Sequence, residues 1–243
     1  MRSAWPGWWK RKPRRVQQAP PIWVTEVSRL DDPLIADILG IYRESFPPEE
    51  RISEEALLSC VGAGSGGIGG FFQQTHLLAA TNGLNALGMC HFTGFWGGED
   101  DSRTDFVYMD YIAVDSLLRG SGIGGQIYFS ALAEARVDAC FRGRRLRGLV
   151  YEVERPELAA SDEDRTLRQR RIKFYERRGA RVLEGIDFVQ PSLGEGLPEV
   201  PLHLVYHPDG DRSWDPQVIC QMIYSRVYGI AADHPLAIRA IAG

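Results

Sequence analysis

Three apolar, strand-like runs follow one another at residues 75–80, 86–95 and 106–114, and the chain then turns into a glycine-rich loop and an amphipathic helix over about 124–141. Asn82-Gly83 separates the first two runs, a pair that tolerates positive φ and so closes a tight hairpin. Gly97-Gly98 through Arg103 makes the second connection. Three antiparallel strands followed by a helix exclude a purely alternating strand–helix chain, and that constrains the remaining elements.

Upstream, residues 22–27 alternate and predict a first strand. Asp31 or Asp32 can cap a helix whose apolar positions Leu34, Ile35, Ile38, Leu39 and Tyr42 recur at helical spacing. Pro47 and Pro48 stop that helix near Phe46. Ser53, followed by Glu54 and Glu55, starts a second helix running to about Val61. The six glycines of residues 62–70 predict a flexible loop. Downstream come a strand over 146–154, a helix capped by Ser161-x-x-Asp164 and ending at Gly179, strands near 181–184 and 202–207, and a final helix over 215–228. The fold class is therefore mixed α+β, a central sheet of about seven strands flanked by helices.

Charge is unevenly placed. The first 15 residues carry six cations and no acid, which leaves 22 basic against 32 acidic side chains in the rest. An acidic body excludes nucleic acid as the main partner, since that partner needs a basic face. Residues 1–21 read as a basic, disordered extension, while Trp5, Trp8 and Trp9 among its cations leave contact with an anionic membrane or RNA as the alternative. Residues 22–210 form the main domain and 211–243 a helical extension that covers either a core edge or a partner, such as a second copy in a homodimer. Cys60, Cys90, Cys140 and Cys220 match no metal or redox spacing, so buried free thiols and no metal are expected. No apolar run is long enough to span a membrane and no secretory signal is legible, which makes the cytoplasm the expected compartment.

Arg119-Gly120-Ser121-Gly122-Ile123-Gly124, with Gly125 behind it, carries the chemistry. Glycines let backbone N–H groups converge on one point, and the helix start adds a positive dipole end, so a phosphate or pyrophosphate fits there. A plain strand-to-helix turn is the other reading. Gly120, Gly122 and Gly125 also spell a dinucleotide fingerprint, but residues 115–119 intervene where such a loop turns at once, and the strand does not open a repeating strand–helix pattern. No Lys-Ser or Lys-Thr follows, which excludes a Walker A loop.

Arg119-x-x-Gly122-x-Gly124 resembles the R/Q-x-x-G-x-G/A motif of the GCN5-related N-acetyltransferases, the GNAT superfamily. The preceding Asp110-Tyr111-Ile112-Ala113-Val114-Asp115 is similar to that family's strand ending, and Phe174-Tyr175-Glu176-Arg177-Arg178-Gly179-Ala180 to a second family element. The resemblance covers roughly residues 22–207. It implies an acetyl-CoA-dependent N-acetyltransferase in which two strands splay and the pantetheine arm of coenzyme A enters the gap. Ile112, Ala113 and Val114 would then bond the arm through their main chain, and the amides of Arg119, Gly120, Ser121, Gly122, Ile123, Gly124 and Gly125 would hold the pyrophosphate. Arg119 would add charge there or pair with nearby acids.

The resemblance makes Tyr175 the acid that protonates the departing thiolate, with aromatic packing as its alternative. It places acids or histidines at the positions of Tyr108 and Asp110, and alternation puts these two with Ile112 on one side of the strand. Asp110 is then the expected base, acting through water, or else an ordinary networked carboxylate. Glu49, Glu50, Tyr108 and Glu152 are the expected acceptor-binding residues, with Glu154 beside them; acids facing the pocket would favour a cationic primary amine. Arg155-Pro156-Glu157 stands where members acting on ribosomal protein termini carry Asn, so that substrate is not carried over. A catalytically silent acyl-CoA-binding module is the competing reading.

Overall fold

The computed structural model describes residues 21–62, 66–68, 71–97, 105–210 and 215–242, so the basic N-terminal extension lies outside the described residues. Strand β1 (Trp23–Glu26) leads into helix α1 (Ile35–Ser45), whose start is fixed by the Asp32 carboxylate accepting the Leu34 N–H at 2.9 Å. Phe46 leaves the helix in an extended conformation, as a residue before proline must. Ser53 caps α2 (Glu54–Leu58), which is shorter than its predicted extent.

The segment expected to be a flexible loop contains a strand, β2 (Gly66–Ile68), paired antiparallel with the start of β3 (Phe71–Thr81). Backbone pairing needs no side-chain signal, which is why the glycines hid it. Strands β4 (Ala86–Trp96) and β5 (Phe106–Val114) continue the antiparallel series and lead to α3 (Ile123–Phe141) and β6 (Gly148–Glu154). Helix α4 (Asp162–Glu176) starts where the Ser161 hydroxyl accepts the Asp164 N–H at 3.1 Å. Then come β7 (Arg181–Val182), β8 (Val189–Gln190) and β9 (Val200–Pro208). The expected single C-terminal helix is broken into α5 (Pro216–Met222), a π-helical turn (Ile223–Val227) and α6 (Pro235–Ile241).

The sheet runs β1-β3-β4-β5-β6-β9-β7, with β2 added to β3 and β8 to β9. All pairings are antiparallel except β5–β6, which is parallel. One face packs on α3 and α4 through residues such as Met109, Ile127, Leu132 and Tyr151. The other face is shared. α1 and α2 cover Leu77, Met89 and Tyr111, while the C-terminal helices cover Phe95, Tyr108 and Val150.

Two irregularities in β5 position everything that follows. Its ladder to β6 consists of two pairs, Val107↔Leu149 and Tyr108↔Val150; beyond them β5 bonds only β4, and β6 only β9. The central sheet is therefore open from that point, as a splayed sheet requires. The β4–β5 register also slips between His91↔Tyr111 and Phe92↔Met109, leaving Asp110 as the extra residue of a β-bulge. Strict alternation therefore fails here. Tyr108 and Tyr111 face the α1 and C-terminal side, whereas Met109 and Ile112 face α3, so Ile112 does not share a side with Tyr108.

A buried histidine ties α3 to the sheet edge. His76 on β3 faces Glu26 of β1 through Nδ1 and Asp138 of α3 through Nε2, each at 2.8 Å, and its ring stacks on Phe92. Burial alone would lower its pKa, but the bonds to Asp138 and Glu26 raise it to about 9. It is therefore an imidazolium at neutral pH.

Candidate functional site

The 3-10 turn Ser116–Leu118 separates β5 from the glycine loop, held by the Asp115 carboxylate accepting the Leu117 N–H at 2.8 Å. Gly120 and Gly122 then adopt φ of +84° and +94°, conformations that side chains resist. Gly122 is the left-handed N-cap of α3, and no side chain caps that helix. Among the described residues, the amides of Arg119, Gly120, Gly122, Ile123 and Gly124 donate to no protein acceptor. A Cβ on Gly120 or Gly122 would meet nothing within 4 Å, so the space beside these two glycines is open. Free N–H groups at the start of a 19-residue helix form an anion site by dipole and by geometry.

Two cations stand beside the loop. Arg119 is exposed and forms no ion pair among the described residues. Arg178 lies against Gly125, where an added Cβ would come 2.6 Å from Nη2. Its guanidinium sits over the Phe174 ring at 3.6 Å and donates to the Phe174 carbonyl at 2.6 Å.

From the loop, the opening between β5 and β6 runs past Ile112, Ala113 and Val114 toward the bulge. On the α3–α4 face Tyr175 is buried, its ring 4.2 Å from that of Tyr151 and 6.0 Å from that of Tyr128. Burial raises its pKa, so the phenol keeps its proton at neutral pH. Among the described residues its hydroxyl makes no hydrogen bond. Beside it Tyr128 meets His207 Nδ1 at 2.6 Å.

The opposite face is acidic. Asp110 Oδ2 lies 3.0 Å from Nδ1 of buried His91. Burial would depress His91, but the Asp110 charge and hydrogen bond, helped by Cys60, raise its pKa to about 9, so the two form an ion pair. Glu152 on β6 receives the Tyr228 hydroxyl at 2.8 and 3.0 Å, and the Tyr108 hydroxyl lies 3.2 Å from that of Tyr228. Burial, less the effect of these hydrogen bonds, raises the Glu152 pKa to about 8; nearby Asp110 and Glu50 add to the rise. Glu50, on the 3-10 turn Pro48–Glu50, is pushed to about 7 by burial and by Glu154. Glu154 is neutralised by Arg171.

The predicted residues thus divide between two faces of one opening, with the glycine loop at one end. Glu49 joins through its backbone, its carbonyl accepting from Gln190 Nε2 at 3.2 Å. Sequence reasoning missed His91, Tyr228 and Arg171. His91 becomes legible only from the β4–β5 register, and Tyr228 only once the π-helical turn has broken the C-terminal helix ahead of it. The thiols differ from expectation: Cys90 and Cys220 are buried, Cys60 is half-buried and Cys140 is exposed. Glu26, His76 and Glu134 form the one metal-like donor group among the described residues. Both nitrogens of that ring already face carboxylates, so the imidazolium itself accounts for the grouping.

No protein-family model matches the chain, and no curated protein matches its sequence. Solved structures do match. One, named as a candidate acetyltransferase of the GNAT family from Bacteroides thetaiotaomicron, is 26% identical with a TM-score of 0.58, and the alignment covers 86% of this chain and 99% of that one. A GCN5-related N-acetyltransferase from Kribbella flavida is 16% identical, with a TM-score of 0.49 over 77% of this chain and 98% of its own. A GNAT-family acetyltransferase from Elizabethkingia anophelis, solved with acetyl-CoA bound, is 14% identical, with a TM-score of 0.44 over 77% and 98%. At those identities and scores the last two add nothing to the first.

Proposed function

Because the chain belongs to the GNAT superfamily, we propose that it moves an acetyl group from acetyl-CoA to a primary amine by direct attack. The observation that carries this reading is the junction of two features: unpaired amides at the start of α3, and a sheet that opens between β5 and β6 directly beside them. Coenzyme A fits the donor set. A diphosphate would lie on the amides of Arg119, Gly120, Gly122, Ile123 and Gly124, since those of Ser121 and Gly125 already donate to the Leu118 and Gly122 carbonyls. Arg119 and Arg178 would stand beside it, and the pantetheine arm would bond the backbone of Ile112, Ala113 and Val114. Bound there, acetyl-CoA supplies the thioester.

The chain's own residues would do the rest. A carboxylate on the acidic face takes the acceptor's proton, because an alkyl amine of pKa near 10.4 is mostly protonated at neutral pH. Tyr175, kept neutral by burial, protonates the departing thiolate. Once ionised, Glu50 and Glu152 on the acceptor side favour a cationic amine, the charge of Asp110 being already met by His91.

Thiol release from acetyl-CoA, measured with a panel of neutral, monocationic and polycationic amines, tests this. Turnover that favours cationic amines is the expected result. Acetyl-CoA binding without turnover of any amine would replace the enzyme with a silent acyl-CoA-binding module. Equal turnover of neutral and polycationic amines would remove the electrostatic part of the reading.

A further inference from the structure

The carboxylates of the acidic face are not equivalent. Asp110 is committed to His91, and protonating it would strand a buried imidazolium. Glu154 is committed to Arg171. Glu152 has no cationic partner among the described residues, and it sits on β6 two residues beyond Val150, where pairing with β5 has ended. The Tyr228 hydroxyl donates to its carboxylate, and the Tyr108 hydroxyl lies close enough to act on the same group. Tyr228 can accept from Tyr108 while it donates to Glu152, so the chain Tyr108–Tyr228–Glu152 is satisfied with one proton on each hydroxyl and none on the carboxylate. The remaining lone pairs of Glu152 are free for an ammonium.

We propose that Glu152 recognises the acceptor's ammonium and takes its proton, and that Tyr228 is the positioning residue that holds it. This rests on the acyl-transfer reading above. The ammonium passes one proton to the Glu152 carboxylate, and the free amine attacks the thioester carbonyl. A C–N bond forms and the C–S bond breaks with its electron pair on sulfur. The thiolate takes the Tyr175 proton, and the second proton shed by nitrogen restores that hydroxyl. One proton is released overall, from Glu152.

The groups facing Glu152 are Tyr108 and Asp110 from β5, Glu50 from its 3-10 turn, and Tyr228, Tyr224 and Cys220 from the C-terminal segment. Burial first, then Asp110 and Glu50, places its titration near pH 8, a suitable range for a base acting close to neutrality.

The test is kcat/KM against pH for two acceptors. One is 1,4-diaminobutane, cationic at neutral pH; the other is aniline, already neutral. With the diamine, wild type should show a rising limb near pH 8. Glu152→Gln should lose about 10²–10⁴-fold and the limb with it, while losing far less with aniline, which needs no initial deprotonation. Asp110→Asn should keep a rising limb but move it to lower pH, because the Asp110 charge helps to raise Glu152. Tyr228→Phe removes a hydrogen bond that favours the carboxylate and should move the limb to higher pH. An unchanged limb in Glu152→Gln, or equal losses on both amines with acetyl-CoA binding intact, overturns the assignment alone. Wild type that turns over no amine overturns the acyl-transfer reading and this assignment together.

Discussion

At residue scale the two halves of the proposed chemistry differ in how they are held. Tyr175 sits among Tyr128, Tyr151 and Phe174, a setting that fixes its ring without engaging its hydroxyl. If it is the acid, Tyr175→Phe should lower kcat by about 10²–10⁴-fold while leaving the KM for acetyl-CoA nearly unchanged. A matching rise in KM with constant kcat would make it a packing residue. Gly148 has a different role, at the first position of β6. A Cβ there would overlap the His207 carbonyl and the Tyr206 ring. Gly148→Ala should therefore cost about 1–3 kcal/mol in urea unfolding. The glycine loop is a candidate by its spacing, and Tyr175 and Asp110 are candidates only through the family resemblance. His91 and Tyr228 were not legible, because each reaches the site only through a strand register or a helix break that no local pattern announces.

At the scale of elements, hydrophobic runs and caps gave the order of strands and helices almost throughout. They failed where backbone geometry departs from period. The bulge at Asp110 reverses the faces of β5, and the two-residue strands β7 and β8 are too short to show alternation. β2 has pairing without any apolar pattern. The clamp between β1, β3 and α3 belongs to this scale. His76→Phe keeps the stacking surface but strands Glu26 and Asp138, both in partial contact with solvent, and should cost about 1–3 kcal/mol by chemical denaturation. A neutral result would show that the clamp contributes no net stability.

Over the whole molecule, the C-terminal segment does more than extend the chain. It buries Phe95, Tyr108 and Val150 and delivers Tyr228 to the acidic face. Protonation also acts at this scale. His76 and His91 are raised to about 9, Glu152 to about 8 and Glu50 to about 7. Each holds its proton more tightly in the folded state, so its contribution is complete below its unfolded pKa and is lost as pH rises through the folded value. Asp164 and Asp187, lowered by arginine partners, act oppositely and cost stability only as pH falls below about 4. The melting temperature should therefore peak near pH 5 and fall toward pH 9, and His76→Phe should flatten the slope between about 6.5 and 9. A melting temperature that rises over that range would contradict these assignments. The most direct test of the account is amide NMR during titration with acetyl-CoA. The largest shifts should fall on Arg119, Gly120, Gly122, Ile123 and Gly124 and along Ile112–Val114; binding that leaves those amides unmoved would contradict the claim that they hold the diphosphate.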